Sequence, residues 1–395
     1  MPPARSLYIC YFGLREPLVQ TQVLPYLREL VAGGVQMSLL TFEPRRWDAA
    51  ELEEWRERLR AGGIEWQMLP YHKRPTLPAT LYDIARGAFR AASIARRERI
   101  DLFHARSHVG AAIGALAKKM TGVPLIFDFR GFLAEEYVDR GNWRAGGILY
   151  RLTKAAERWL YRAADGVVVL TERAREMLGV APVPLEVIPC CVDLKRFGTA
   201  ERAELGLAGR VVYVYTGALG GYYLVNETAE LLGAARAADP RTFALVLTQS
   251  APAAMVEALQ RAGFTPDDYR VLTVPPEDVP RYLLASDVAL SLIETSYARR
   301  AASPTKFAEY LAAGLPVIST ADVGDLDAQI EEHRVGVLLR ALDRAALAEA
   351  VRAIGELRRD PELAARCRAL ARSHYDLQDV GGVRYRRLYE AVLRR

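Results

Sequence analysis

Residues 303–320 read SPTKFAEYLAAGLPVIST, a helix and a strand with both junctions marked. Ser303 can cap the helix, Pro304 suits its first position, and Gly314 can take the left-handed conformation that ends it. Val317–Thr320 follows as a short apolar strand. Upstream, Val211–Tyr215, Phe243–Thr248, Val271–Val274 and Val288–Ile293 are similar strands, separated by helices rich in Ala, Leu and Arg. That alternation predicts a doubly wound parallel sheet. The first half has the same rhythm in Leu7–Phe12, Met37–Phe42, Ile64–Leu69, Leu102–His104, Leu125–Asp128, Gly166–Leu170 and Leu185–Ile188. Continuously apolar strands of this kind are covered by helices on both faces.

After Leu185–Ile188 come Pro189 and a polar stretch from Asp193 to Leu205, where the linker is expected. The predicted fold is α/β, with two Rossmann-like domains at residues 1–192 and 193–375 facing across a cleft. A last segment, 376–395, carries Val380, Val383, Tyr385, Leu388, Tyr389 and Val392 at helical spacing and is expected to dock on a preceding surface. Ligands of open parallel sheets bind beyond the carboxyl ends of the strands, so two such sheets can hold two substrates.

The chain has 395 residues, 51% of them hydrophobic and 26% charged, enough for sizeable cores and unlike a disordered tail. Its 53 Lys and Arg against 48 Asp and Glu leave a net charge of +5, too small to imply nucleic acid. Four cysteines without a C-x-x-C spacing predict neither a disulfide framework nor a structural zinc site, and suit a reducing cytoplasm. The vicinal pair Cys190–Cys191 reads as two small residues after a strand rather than a strained disulfide. No run of about 18 apolar residues is present, so no membrane-spanning helix is expected.

The start of the 303–314 helix carries Arg299, Arg300 and Lys306 and no acid in its first turn, the reverse of what the helix dipole favours. A phosphate or diphosphate held by the helix N-terminus with Lys306 as a point charge accounts for it. Glu309, one turn on, could accept hydrogen bonds from a vicinal diol such as a ribose; an ordinary surface ion pair with Lys306 is the plainer alternative. Glycines follow two strands, Gly13 in the first half and Gly217, Gly220 and Gly221 in the second. They either approach phosphate oxygens or serve turns of positive φ. Neither turn matches G-x-G-x-x-G or G-x-x-x-x-G-K-[ST], so neither a dinucleotide cofactor nor ATP hydrolysis is supported.

In the first half, FHARSH places His104, Arg106 and His108 at a strand end, and FDFRG places Asp128 and Arg130 at the next. His104 and His108 lack further ligands for a metal. Arg106, His108 or Asp128 could orient a substrate hydroxyl, or these polar groups could tie loops together. Arg86, Arg90 and Arg97 cluster on a helical wheel, fit for an anionic membrane surface or for a solvated face.

These motifs resemble those of the family 4 glycosyltransferases, whose arrangement is GT-B. SPTKFAEYLAAGLPVIST is similar to their donor-binding helix and strand. VIPCCVDLKRF, Val187–Phe197, is similar to their interdomain passage V-I-P-N-G-V-D-x-x-x-F, with Cys190–Cys191 in place of Asn-Gly. The likeness extends through Gln20–Thr41, Ser286–Asp287 and the final helix, which in that family returns to the first domain. It implies that Glu309 holds the donor ribose and that Ser303, Pro304, Thr305, Lys306, Gly217 and Gly220 meet the donor and its diphosphate. Gly13 approaches that diphosphate from the first domain, and Thr248 lies near the base. Arg106 stands where many members have histidine. Ala301 replaces the family's first glutamate, and ALGGYYL from Ala218 lacks the usual arginine and lysine, for which Lys306, Arg299 or Arg300 would compensate.

The implied activity is retaining, metal-independent transfer of a hexose from a nucleotide diphosphate sugar to an acceptor hydroxyl, with no cofactor. Lys306, Arg106, His108 and Asp128 are its catalytic candidates, and glycan, glycolipid or glycosylated-metabolite synthesis its setting. A cytoplasmic enzyme, at most peripheral at the inner membrane face, is expected. A GT-B epimerase and a noncatalytic nucleotide-sugar-binding scaffold are the rival readings, the latter suggested by Ala301.

Overall fold

The computed structural model describes residues 4–198 and 203–395, so positions 199–202 of the expected linker lie outside the described residues. The chain divides into two units, one running to Pro189 and including Leu377–Arg395, the other Cys190–Asp376.

The first unit holds seven parallel strands, β1 (Arg5–Cys10), β2 (Gln36–Glu43), β3 (Ile64–Pro70), β4 (Leu102–Arg106), β5 (Leu125–Asp128), β6 (Gly166–Val169) and β7 (Leu185–Val187). Their order is β3-β2-β1-β4-β5-β6-β7, so the winding reverses between β1 and β4. The second unit holds six, β8 (Val211–Thr216), β9 (Thr242–Leu247), β10 (Tyr269–Leu272), β11 (Val288–Ser291), β12 (Val317–Thr320) and β13 (Gly336–Leu339). Their order, β10-β9-β8-β11-β12-β13, reverses between β8 and β11. Central strands are buried, save for half-buried Val211 at the start of β8, because helices cover both faces. Along β8, Val212 and Val214 enter one core while Tyr213 and Tyr215 enter the other, as the two-residue period of a strand requires.

The ladder of β11 ends at Ser291, short of the Ile293 expected from the apolar run. Beyond it Ile293 bridges Tyr223 in antiparallel fashion, and its N–H donates to Thr320 Oγ1 at 3.0 Å. That bridge anchors Tyr223. Strand β10 starts two residues before the expected Val271.

Residues Leu377–Gly382 are wound as a π-helix and lead into the Val383–Leu393 helix, which packs on the first unit. Tyr385, Leu388, Tyr389 and Val392 are buried as their spacing predicts, but Val383 is 46% exposed. The wider winding ahead of it buries Val380 and carries Val383 off the buried stripe. Arg384 donates to the Val187 carbonyl at 2.6 Å, and Tyr389 Oη lies 3.2 Å from Ser6 Oγ and 2.9 Å from His104 Nδ1.

Candidate functional site

In the second unit the winding reverses where β8 and β11 end, the place at which an open α/β sheet leaves a crevice for ligands. The chain leaves β8 at Gly217, whose φ of +129° is a glycine conformation and whose N–H donates to the Leu247 carbonyl at 3.0 Å. Beyond β11 it forms a 3-10 turn, Ala298–Ala301, and then the Thr305–Ala313 helix. Phe307, Tyr310 and Leu311 bury that helix against the core. Tyr310 pins it in place, its hydroxyl accepting from Thr216 N at 2.9 Å and donating to the Leu290 carbonyl at 3.1 Å.

The boundary at Gly314 is as expected, with φ +83°. The other boundary needs correction, because Pro304, not Ser303, occupies the N-cap and the helix has no side-chain cap. Ser303 instead turns its Oγ to accept the Cys190 N–H at 3.1 Å, which fixes the segment after Pro189 to the start of the helix. The first helical N–H groups are therefore left to other partners.

Lys306 reaches back from this helix to the Gly217 turn. A Cβ built on Gly217 would lie 2.9 Å from Lys306 Nζ, so the ammonium fills the space that a side chain there would take. Nζ lies 4.3 Å from the Tyr215 ring centroid and 4.2 Å from that of Tyr223, makes no hydrogen bond, and belongs to a residue only 7% exposed. Burial pushes its pKa down to about 7, against a weaker upward pull from Glu309. Arg299, also 7% exposed, stacks its guanidinium 3.8 Å over Tyr222 and leaves Nε unbonded. The Tyr222 and Tyr223 rings are 4.5 Å apart. Two desolvated cations are thus held by tyrosine faces rather than by acids, an arrangement with uncompensated positive charge. The sequence reading missed the tyrosines; the YY of ALGGYYL was the only signal.

Glu309 pairs with Arg196 at 3.7 Å, so the surface ion pair with Lys306 is not formed. Burial raises the Glu309 carboxyl, opposed by Arg196 and Lys306. Thr248 is buried at the end of β9, and its Oγ1 accepts the Ser250 N–H at 3.0 Å while Ser250 Oγ accepts the Leu219 N–H at 3.0 Å. The loop after β9 is thereby latched to the glycine turn. Gly220 faces open space, Thr305 is half-buried, and Arg300 is exposed where Arg299 is buried.

The first unit's candidates form two separate clusters. Asp128 is fully buried between Arg106 at 3.5 Å and Arg130 at 3.4 Å, with the Tyr385 hydroxyl donating at 3.5 Å. Burial would raise its carboxyl, but Arg130, Arg106 and His104 hold it below the usual range. His104 is pushed down to about 4 by burial and faces Tyr389. His108 turns the other way, between Phe127 and Phe129, with Nε2 3.5 Å from Glu157. The two histidines do not converge. Gly13 packs on the end of β2, where a Cβ would strike Pro44 at 2.8 Å and the Glu43 carboxylate at 2.9 Å. Among the described residues no group of three or more His, Cys, Asp or Glu side chains is placed to hold a metal.

Asp128→Ala would leave two guanidiniums facing each other in the interior, and is expected to destabilise the protein by about 3–5 kcal/mol in urea unfolding. The depressed Asp128 carboxyl stabilises fully above the ordinary carboxylate range, and that contribution is lost as pH falls through its folded value.

Two family models match the chain, a glycosyl transferase 4-like domain over residues 19–191 and glycosyl transferases group 1 over residues 205–356. A 2-deoxystreptamine glucosyltransferase of Streptomyces kanamyceticus is 30% identical over 204 residues, covering 45% of this chain and 49% of the relative. A D-inositol 3-phosphate glycosyltransferase of Nocardia farcinica is 28% identical over 279 residues, covering 64% of this chain and 58% of the relative. The chain thus spans about half the length of the curated relatives it matches. Among solved structures, HepE of Anabaena in complex with UDP and glucose aligns with a TM-score of 0.69 at 15% identity, covering 98% of this chain and all of that one. A glycosyltransferase from Rickettsia africae aligns with a TM-score of 0.73 at 14% identity, covering all of this chain and 99% of that one. WaaG, a glycosyltransferase of lipopolysaccharide biosynthesis, aligns with a TM-score of 0.67 at 16% identity, covering 98% and 99%. These likenesses concern the fold.

Proposed function

Given that this chain belongs to the family 4 glycosyltransferases, with the two Rossmann-like units of the GT-B type, we propose that it moves a hexose from a nucleotide diphosphate sugar to an acceptor hydroxyl with retention of configuration. The observation that carries the reading is the unpartnered Lys306 ammonium against the Gly217 turn at the reversal point of the second sheet. Lys306, Arg299 and the uncapped N–H groups of the Thr305–Ala313 helix would grip the diphosphate, with Glu309 toward the ribose. Arg299 takes the place of the arginine and lysine lacking after Gly217. HepE was solved with UDP and with UDP-glucose, in keeping with a nucleotide-sugar donor.

In the proposed reaction the bond between the anomeric carbon and the diphosphate oxygen breaks, and the charge left on that oxygen is met by Lys306 and Arg299 without a metal ion. The acceptor oxygen bonds to the same face of the sugar and its proton passes to the departing phosphate oxygen. Losing one such fixed cation costs about 100-fold in rate. First-unit loops such as residues 130–143 would choose the acceptor.

Turnover and product anomer over a panel of nucleotide sugars, with and without EDTA, test this. A retained anomer at undiminished rate in EDTA is the expected result; inversion or strict metal dependence refutes the mechanism. Consumption of donor without acceptor points to an epimerase. UDP or GDP binding with no turnover points to a scaffold, the reading that buried Ala301 favours.

A further inference from the structure

We propose that the helices covering one face of the first unit's sheet rest on the headgroup region of an anionic bilayer. The Thr76–Glu98, Ser107–Thr121 and Ile148–Ala163 helices connect β3 to β4, β4 to β5 and β5 to β6, all in the same direction across the sheet. Right-handed crossovers place all of them on one face.

The Ile148–Ala163 helix exposes an apolar stripe instead of burying it. Ile148 is 79% exposed and Leu152 62%, and Ala155 and the 38% exposed Trp159 continue the line at helical spacing. Exposed Arg151, Arg158 and Arg162 flank the stripe. The helix's single acid, Glu157, is buried and points inward to His108 and Lys154. Lys119 of the middle helix sits 5.3 Å over the Trp159 ring and extends the basic border.

The Thr76–Glu98 helix repeats the pattern. Leu77, Leu81, Tyr82 and Phe89 are all more than half exposed, beside half-exposed Arg86 and Arg90 and exposed Arg96 and Arg97. Its acid Asp83 is fully buried, accepting from Tyr11 and from His72. Ile94, on the same helix, faces the core, which separates the exposed stripe from the packing one.

Apolar side chains between arginines, with Asp83 and Glu157 turned inward and half-buried Glu98 the one further acid of these three helices, suit acyl chains below and phosphates beside them. No helix of the described residues is long and apolar enough to cross a membrane, so the contact is one of lying on the surface. The inference is independent of the transferase reading.

The full chain should sediment with vesicles of phosphatidylcholine containing phosphatidylglycerol, not with phosphatidylcholine alone, and be released by high salt. Ile148→Glu with Leu152→Glu should lower the bound fraction by about tenfold, and Arg151→Gln with Arg158→Gln should remove the preference for anionic vesicles. Thermal unfolding and calorimetric UDP binding, which report on the fold and the donor site separately, should be unchanged in both. Equal binding to both vesicles, no binding, or a double glutamate variant that binds like the parent would overturn the proposal. A dimer dissociated by Ile148→Glu with Leu152→Glu in sedimentation velocity would overturn it too, by giving the face to a second copy.

Discussion

Lys306→Met is expected to bind UDP or GDP about 100-fold more weakly than the parent, and to melt at a higher temperature. The two effects share one cause. The native ammonium is desolvated against Tyr215 and Tyr223 with no hydrogen bond, so the folded protein bears a charge that only an anion relieves. A methionine of similar shape removes that penalty, and replacing buried charge by packed apolar atoms commonly gains about 1–4 kcal/mol. A catalytic group is thus expected to lower stability until its ligand arrives. Isothermal calorimetry and a melting curve on the same variant check both halves. Undiminished nucleotide binding would remove Lys306 from the anion site.

The same residue sets a pH dependence. Its pKa in the free protein is about 7, against 10.5 for an ordinary lysine. Below pH 7 the ammonium is already formed, and nucleotide binding takes up no proton there on its account. Above it the amine must be protonated on binding, so affinity should fall about tenfold per pH unit, with proton uptake seen as a buffer-dependent heat. Stability runs the other way. The unfolded chain keeps its proton up to 10.5, so the burial penalty is complete below pH 7 and is relieved as pH rises from 7 toward 10.5. Lys306→Arg, which stays charged, should flatten the affinity profile.

Much of this architecture is legible in the amino-acid order because buried parallel strands are apolar without interruption. Val317–Thr320 and Leu125–Asp128 coincide with the strands that form, and others shift by one or two residues. Strand β13 escapes that reading since it lies at the sheet edge, is mostly half-buried and merges with its neighbours in composition. The start of the Thr305–Ala313 helix is misjudged by one residue because Ser303, a good cap by type, has a better use in accepting the Cys190 N–H. The proximity of Lys306 to Gly217 follows from both lying beyond neighbouring strand ends. What those groups rest on does not follow, for no local rule says that Tyr222 and Tyr223 turn their rings to Arg299 and Lys306.

Gly217→Ala tests the geometry without touching a charge. The new methyl would need to sit 2.9 Å from Lys306 Nζ and 3.3 Å from its Cε, and the φ of +129° would strain any residue with a Cβ. The lysine end is flexible, so the chain should still fold, at a cost of about 1–3 kcal/mol for the strain. The ammonium, however, would be driven out of the position from which it meets phosphate. We expect UDP affinity to fall by about 10- to 100-fold, on the scale of misplacing a fixed electrostatic contact. The decisive comparison is the double variant Gly217→Ala with Lys306→Met. If glycine matters only because it makes room for the ammonium, the second substitution should cost much less binding energy in the alanine background than alone, a non-additivity that a cycle of four titrations reads directly. Strictly additive losses would mean that the turn and the lysine act on the nucleotide independently. A Gly217→Ala protein that binds UDP like the parent would mean that the ammonium can serve the anion from elsewhere.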